Sequence, residues 1–481
     1  MSKTLFACAL PILAHLLVAS PAGAATVGAT GCSSSAVQSA INSASNGDTV
    51  RVPAGTCTWT TAVSIPNSKS LVLEGAGIGQ TTIRDGVTTD AMLVLNVRDP
   101  YFIRITAFTF DLNQVSKSNS RGSVRVLGNG LDNFRIDHIR FTNITGRAIG
   151  IDPNGAEISG LIDHNTFECP TDGGCQSVTV TGDGPQESAH MGRPYEPGSN
   201  KFVFVEDNTF NYSYQNDGGV EGYGGARFVL RFNAMHGVTQ GSHGADSGNY
   251  RGTHSFEIYR NTFDLDTWVI SSTSPRSITH RSGTGFVFDN SVSSEYGFYH
   301  LRNYRSEGSY GVWGECDGTS PWDGNESGKQ GYPCLDQIGH VFTDVLNGTN
   351  LLAPLYTWGN TKGNGQLNAE PSGGTRLKTL HVLENRDYYN QDMTFDGTTG
   401  VGVGPFASRS TTCTRGVGYW ATDRGSWNAS GADGQFFKCT STNTWTLNYT
   451  PYTYPHPLTT FVPTSSSSSG PSSPANLRIV P

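Results

Sequence analysis

The feature that most constrains this chain is a six-residue phrase that returns along its length: an apolar residue, two spacers, Asn, one spacer, and a second large apolar residue. It reads Ile162-Asp163-His164-Asn165-Thr166-Phe167, then Val205 to Phe210, Leu230 to Met235, Ile258 to Phe263 and Val287 to Val292. Two earlier copies, Ile105 to Phe110 and Ile136 to Phe141, lack the Asn. The closing apolar residue falls at 110, 141, 167, 210, 235, 263 and 292, in steps of 31, 26, 43, 25, 28 and 29 residues. Recurrence at this spacing predicts stacked structural units rather than one globule. Each unit is read as a coil of three short strands joined by turns. The Asn should sit at one turn and hydrogen-bond its counterparts above and below, while the Phe points inward and stacks. Both ladders are therefore structural, and the repeated Asn residues are not site candidates. A stack of β coils presents one long groove, and a groove suits a polymer.

The start of the chain has a separate role. Lys3 precedes an apolar run, Leu5 to Ala19, that ends at Ala22-Gly23-Ala24, the pattern of a secretory signal peptide cleaved after Ala24. The run is too short for a stable membrane anchor, and no other long apolar stretch follows. Eight cysteines remain beyond the signal, and their sequence neighbours suggest the pairs Cys32–Cys57, Cys169–Cys175, Cys316–Cys334 and Cys413–Cys439. No close Cys-x-x-Cys pair or His cluster favours zinc instead. The net charge is −8 with no basic run, which argues against a nucleic-acid partner but not against a local basic site for an acidic glycan. Nothing in the sequence specifies an oligomer, and a monomer is the expectation.

Residues Ala36 to Ala44 read as one short amphipathic helix, with Ser33 to Ser35 available as N-cap. Asn46-Gly47-Asp48-Thr49-Val50-Arg51-Val52-Pro53-Ala54-Gly55-Thr56 then reads as turn, strand, turn. Here the chain resembles the pectin-lyase-like superfamily, many of whose members open with a capping helix followed by such a phrase. The resemblance covers about residues 30 to 400 and implies an all-β, single-stranded right-handed parallel β-helix. A helix over the first coil makes physical sense, because an uncovered strand edge invites aggregation. The expected organisation is signal peptide at 1–24, β-helix at 25–405, an aromatic, disulfide-linked C-terminal cap at 406–463, and a Ser/Pro-rich linker and tail at 464–481.

The resemblance also implies where a site would lie. In this superfamily the strand preceding each Asn-bearing strand builds a sheet whose outward side chains line the substrate groove. Here those strands fall near Ala148–Asp152, Ser177–Thr181, Gly219–Tyr223, Ser242–Ser247, Ser277–Gly283 and Phe298–Arg302. Alternation then sorts the faces. With Val220 inward, Glu221 and Tyr223 point out; with Ile278 inward, Arg281 points out; with Tyr299 and Leu301 inward, His300 and Arg302 point out. His243, Asp246, Asp217, Arg251, His254, Arg276 and His280 crowd the same rungs. Two flanking segments are candidate groove walls. Asn303 to Gln337 carries Tyr310, Trp313, Trp322 and Tyr332, with Asp317, Asp323, Asn325 and Glu326 as acidic or amide oxygens. Cys169 to Ser199 carries His190, Arg193 and Tyr195.

Two chemistries use such a strip. A polysaccharide lyase neutralises a uronate carboxylate, removes the adjacent proton and expels the glycosidic oxygen. In that reading Glu221 and Asp246 on neighbouring rungs hold Ca²⁺, and Arg281, Arg302 or His300 supply base and clamp. Tyr223, His243, Arg251, Arg276, Trp313 and Trp322 then contact substrate. A glycoside hydrolase would instead use paired carboxylates among Asp217, Glu221 and Asp246. A non-catalytic, glycan-binding surface protein is the third reading. The Asn-Thr-Asp, Asp-Asp and Gly-His-Gly set of polygalacturonases is absent. The Trp-Ile-Asp-His phrase of pectate lyases survives only as Leu161-Ile162-Asp163-His164, away from the expected groove, and lysine is scarce near the cluster. Because arginines and histidines share the rungs with the acids, a secreted lyase on an acidic polysaccharide leads.

Overall fold

The computed structural model describes residues 24–461 apart from 114, 116–121, 171–173, 182–188, 247–249, 266–275, 298, 307, 309–310, 343–349 and 430. The signal-peptide reading (1–24) and the Ser/Pro-rich tail (464–481) therefore lie outside the described residues but for Ala24, as do Tyr310 and the side chains of Asp217 and His190.

The repeated phrase stacks on itself position by position. Ile136, Ile162, Val205, Leu230, Ile258 and Val287 are successive parallel partners. So are Phe141, Phe167, Phe210, Met235, Phe263 and Val292. Each coil contributes to three parallel sheets. The strand before the Asn runs through Gly160–Asp163, Val203–Glu206, Arg227–Arg231, Ser255–Tyr259, Thr284–Phe288 and Leu355–Trp358. The strand after it runs through Thr166–Cys169, Thr209–Asp217, Ala234–Ser242, Thr262–Asp264 and Ser291–Val292. The third sheet, here called the site sheet, begins with Val63–Ile65 and Leu93–Val97. It continues through Val124–Gly130, Arg147–Ile158, Gln176–Thr181 and Val220–Tyr223. It then passes to the end of Ala234–Ser242, to Ile278–His280, to Tyr299–Leu301 and to Ala369–Pro371. The architecture is a parallel β-helix with one continuous core between the sheets.

The Asn ladder is continuous from Asn165 through Asn208, Asn233, Asn261 and Asn290 to Asn360. Each Nδ2 donates to the next Oδ1 at 2.8–3.1 Å. Each also donates to a backbone carbonyl of the preceding coil, as Asn233 does to Val205 O at 2.9 Å. The residue before each Asn must turn sharply and adopts left-handed φ: His164 54°, Asp207 55°, Phe232 56°, Arg260 54°, Asp289 53° and Gly359 65°. The Phe rings stack as expected, Phe141 on Phe167 at 5.0 Å and Phe167 on Phe210 at 4.9 Å.

At the N-terminal end, helix Ser34–Ser43 starts two residues earlier than expected. Ser33 Oγ accepts from Ala36 N, and Val37, Ala40 and Ile41 are buried against the first coil. The aromatic tail follows the last coil as a four-stranded sheet, Val401–Gly404, Gly418–Ala421, Gln435–Ser441 and Thr444–Tyr449. It then runs back along the flank. Tyr449 Oη donates to Glu257 at 2.6 Å, and Arg231 donates to the carbonyls of Tyr452 and Thr453. Arg135 donates to those of Leu458 and Thr459, and Phe461 meets Phe102. All four expected disulfides are present. No helix among the described residues is long and apolar enough to cross a membrane.

Candidate functional site

The site sheet turns β register into columns of side chains. One outward column runs Arg125, Gly150, Thr179 and Glu221. It resumes at Gly241 and continues through Thr279, His300 and Glu370. Gly241 leaves room for the Glu221 carboxylate: a Cβ there would lie 2.9 Å from Glu221 Oε1. Two residues further on come Tyr223, at the end of its strand, and His243, Arg281 and Arg302, each one residue past the end of its strand. Their inward neighbours Val220, Ile278, Tyr299 and Leu301 are fully buried, as alternation predicts.

The second column is physically connected. His243 Nε2 lies 2.9 Å from Glu221 Oε2, and the His243 ring meets Tyr223 edge-on at 5.5 Å. Arg281 Nη2 contacts His243 Nδ1, and Arg281 Nη1 lies 3.6 Å from Asp246 Oδ2. The Asp246 carboxylate is buried, with no hydrogen bond among the described residues. Tyr304, just past the strand, lies under both guanidiniums, with Arg302 4.3 Å and Arg281 5.3 Å from its ring centre. At the other end Arg147 lies 5.4 Å from the Tyr223 ring, and exposed Tyr250 packs edge-on to Tyr223 at 5.2 Å.

His300 is the distinctive titratable group. Burial first, then the positive charges of Arg276 and Arg302, push its pKa down to about 4. It is therefore neutral at physiological pH although cations surround it. A neutral imidazole beside guanidiniums combines a base with charges that attract an anion. His280, the register partner of Ser242 on the next rung, is different. It stacks on Phe256 at 3.7 Å inside the core and bonds Ser242 Oγ, so it is a core residue.

Several expectations fail for identifiable reasons. Arg251 does not face a substrate: it is 1% exposed, bonded to Asp336 through Nε and Nη2, and enclosed by Trp313 and Phe342. Trp313 is also 1% exposed and belongs to a small core with Ala245, Leu335 and Phe342. Trp322 is 38% exposed and leans edge-on against Trp313. The strand expected at Ser242–Ser247 ends at Ser242, so His243 and Asp246 stand on the turn that follows. The wall acids do not gather: Asp323 is paired with buried Arg305, Asp317 holds Thr319, and Glu326 meets Lys329. His254 is buried, bonding Arg193 O and Ser255. Around Glu221 and Asp246, the two carboxylates expected to share Ca²⁺, stand His243 at 2.9 Å from the first and Arg281 at 3.6 Å from the second. Sequence reasoning missed Tyr304, Arg147 and Tyr250. Only Tyr304 carried a signal, as an aromatic two residues past Arg302.

A scan against protein-family models and a search of curated proteins return no match. Solved structures that match include ORF18 of Geobacillus virus E2, at 17% identity and TM-score 0.28, covering 58% of this chain and 57% of that one. This chain thus aligns over little more than half of that viral protein's length. A family 28 exopolygalacturonase from Yersinia enterocolitica matches at 13% identity and TM-score 0.30, covering 58% and 74%. An alginate lyase from a Paenibacillus species matches at 11% identity and TM-score 0.28, covering 72% and 98%. At these values the likenesses assign neither substrate nor reaction to this chain.

Proposed function

We propose that this protein is a secreted polysaccharide-degrading enzyme that cleaves a uronate-containing glycan by β-elimination without a metal ion. The observation that carries the reading is the neutral His300 set between Arg276 and Arg302, beside the Arg281–Tyr304–Arg302 stack. Arg281 and Arg302 hold the C6 carboxylate and withdraw charge, which acidifies the C5 proton. His300 takes that proton; the C5–H electron pair becomes the C4–C5 double bond as the C4–O4 bond breaks. The imidazolium then returns its proton to the departing oxygen. The Glu221–His243–Arg281–Asp246 chain fixes the Arg281 guanidinium. Tyr223 and Tyr250 offer ring faces for neighbouring sugars. The hydrolase reading fares worse, because a carboxyl that must protonate a leaving oxygen is poorly served by a guanidinium at 3.6 Å. The four disulfides suit an oxidising compartment. The helix over the first coil and the aromatic tail protect the strand edges of the stack.

The test is absorbance at about 235 nm, where an unsaturated uronate product absorbs, on a panel of polyuronates with and without chelator. The expected result is rising absorbance that the chelator leaves unchanged. New reducing ends without absorbance would transfer the chemistry to the carboxylates. Loss of the signal with chelator would restore the Ca²⁺ reading, and neither signal on any polyuronate would leave a binding protein.

A further inference from the structure

The sequence phrase Leu161-Ile162-Asp163-His164 plays no part in the proposed site, yet the fold repeats its chemistry on the adjacent coil. Asp137-His138 and Asp163-His164 occupy equivalent turn positions, both histidines in left-handed conformation at φ 52° and 54°. In each, Nδ1 meets the neighbouring carboxylate at 2.8 Å. Both carboxylates are fully buried and locked, Asp137 by Arg104 and Thr106 and Asp163 by Arg135. A carboxylate so held accepts from Nδ1–H, which leaves Nε2 with its lone pair free to bind. The two rings are stacked at 5.1 Å and within 6° of parallel, and their side chains are 54% and 47% exposed.

We infer that His138 and His164 form a surface site for a divalent transition metal such as Cu²⁺ or Zn²⁺, with Asp137 and Asp163 as orienting partners. Imidazole nitrogen suits these ions, and a buried carboxylate behind each ring sets the tautomer and raises ligand basicity. Two nitrogens bound tetrahedrally at about 2.0–2.1 Å stand roughly 3.4 Å apart. In the stack the two in-plane lone pairs run parallel, so meeting one ion turns each exposed ring toward the other by roughly 50° about its side-chain torsions. Asp207 occupies the same turn position on the next coil, so its negative charge adds to the pull on a cation. The remaining ligands are solvent, which makes the site one of moderate affinity.

The test uses the full mature protein and Cu²⁺ or Zn²⁺ alone, titrated calorimetrically, with electron paramagnetic resonance of the Cu²⁺ form. His138→Asn and His164→Asn are the variants, since Asn tolerates left-handed φ. The expected result is one site whose affinity falls at least tenfold in each single variant. The Cu²⁺ spectrum should carry coupling from two imidazole nitrogens in the wild type and one in either variant. Binding of equal strength in the double variant, or coupling from a single imidazole in the wild type, would overturn the inference. An unchanged circular dichroism spectrum and melting temperature confirm that each variant is folded.

Discussion

The neutrality of His300 has a measurable consequence at acid pH. An ordinary histidine titrates near 6.5, whereas burial and the charges of Arg276 and Arg302 lower His300 to about 4. At pH 5 a base of pKa about 4 is roughly 90% unprotonated, against roughly 3% for an unperturbed histidine, a difference of about thirtyfold in active base. The acid limb of the kcat/KM profile should therefore lie near pH 4, provided the polymer's own carboxylates are accounted for by using one substrate throughout. Arg276→Gln removes one of the two flanking charges but not the burial that dominates. The limb should move up by about half a unit to one unit, with little change in rate above pH 7. His300→Ala should lose about 10²–10⁴ in kcat across the range. The assay is the initial rate of unsaturated product between about pH 3 and 8, so that both sides of the limb are sampled. A limb at 6.5 in the wild type, a limb unmoved by Arg276→Gln, or near-full activity in His300→Ala would each refute the assignment of His300 as base.

Asn233→Ala tests the ladder: Asn233 donates to Asn261, Val205 O and Arg231 O and accepts from the backbone and side chain of Asn208, all buried. Leaving two or three of these groups unpaired should cost about 3–5 kcal/mol in urea unfolding, and a loss below about 1 kcal/mol would show that solvent or repacking replaces the ladder. His280→Phe tests acid stability: burial pushes His280 down to about 3, so below about pH 6.5 the unfolded chain takes up a proton that the folded one refuses, and stability falls with pH. The variant's acid-unfolding midpoint should move to lower pH. Asp132 and Asp289, raised to about 6, bind protons more readily in the folded state and work in the opposite sense in both proteins. An unmoved midpoint would mean that other groups set the acid limit.

What could be read from the sequence follows from the range over which each interaction acts. The ladder was legible because each coil, whatever its length, returns the same Asn and the same inward apolar residues to one turn, so the six-residue phrase recurs intact. Asn360 escaped notice because 70 residues separate it from Asn290, and the intervening segment hides the period although the rung is intact. On the site sheet, alternation sorted His300 and Arg302 from Tyr299 and Leu301 because the strand is real and one face is core. The same rule could not place Arg251, whose partner Asp336 lies 85 residues away in a segment with no period, so a buried ion pair looked like one more exposed cation. Tyr304 left only a weak trace, an aromatic two residues past Arg302: it stands beyond the strand Tyr299–Leu301, and the fold is what sets it beneath two arginines. The chemistry itself turns on what register does to charge. Glu221 and Asp246 seemed poised to share an ion because rungs are close. The same closeness delivers His243 and Arg281 to them first, and cations held in this way are available to a substrate anion, whereas carboxylates so engaged are not. An acidic chain can thus carry a strip of arginines, with Arg281 and Arg302 packed on Tyr304 and the histidine beside them, His300, kept neutral by burial.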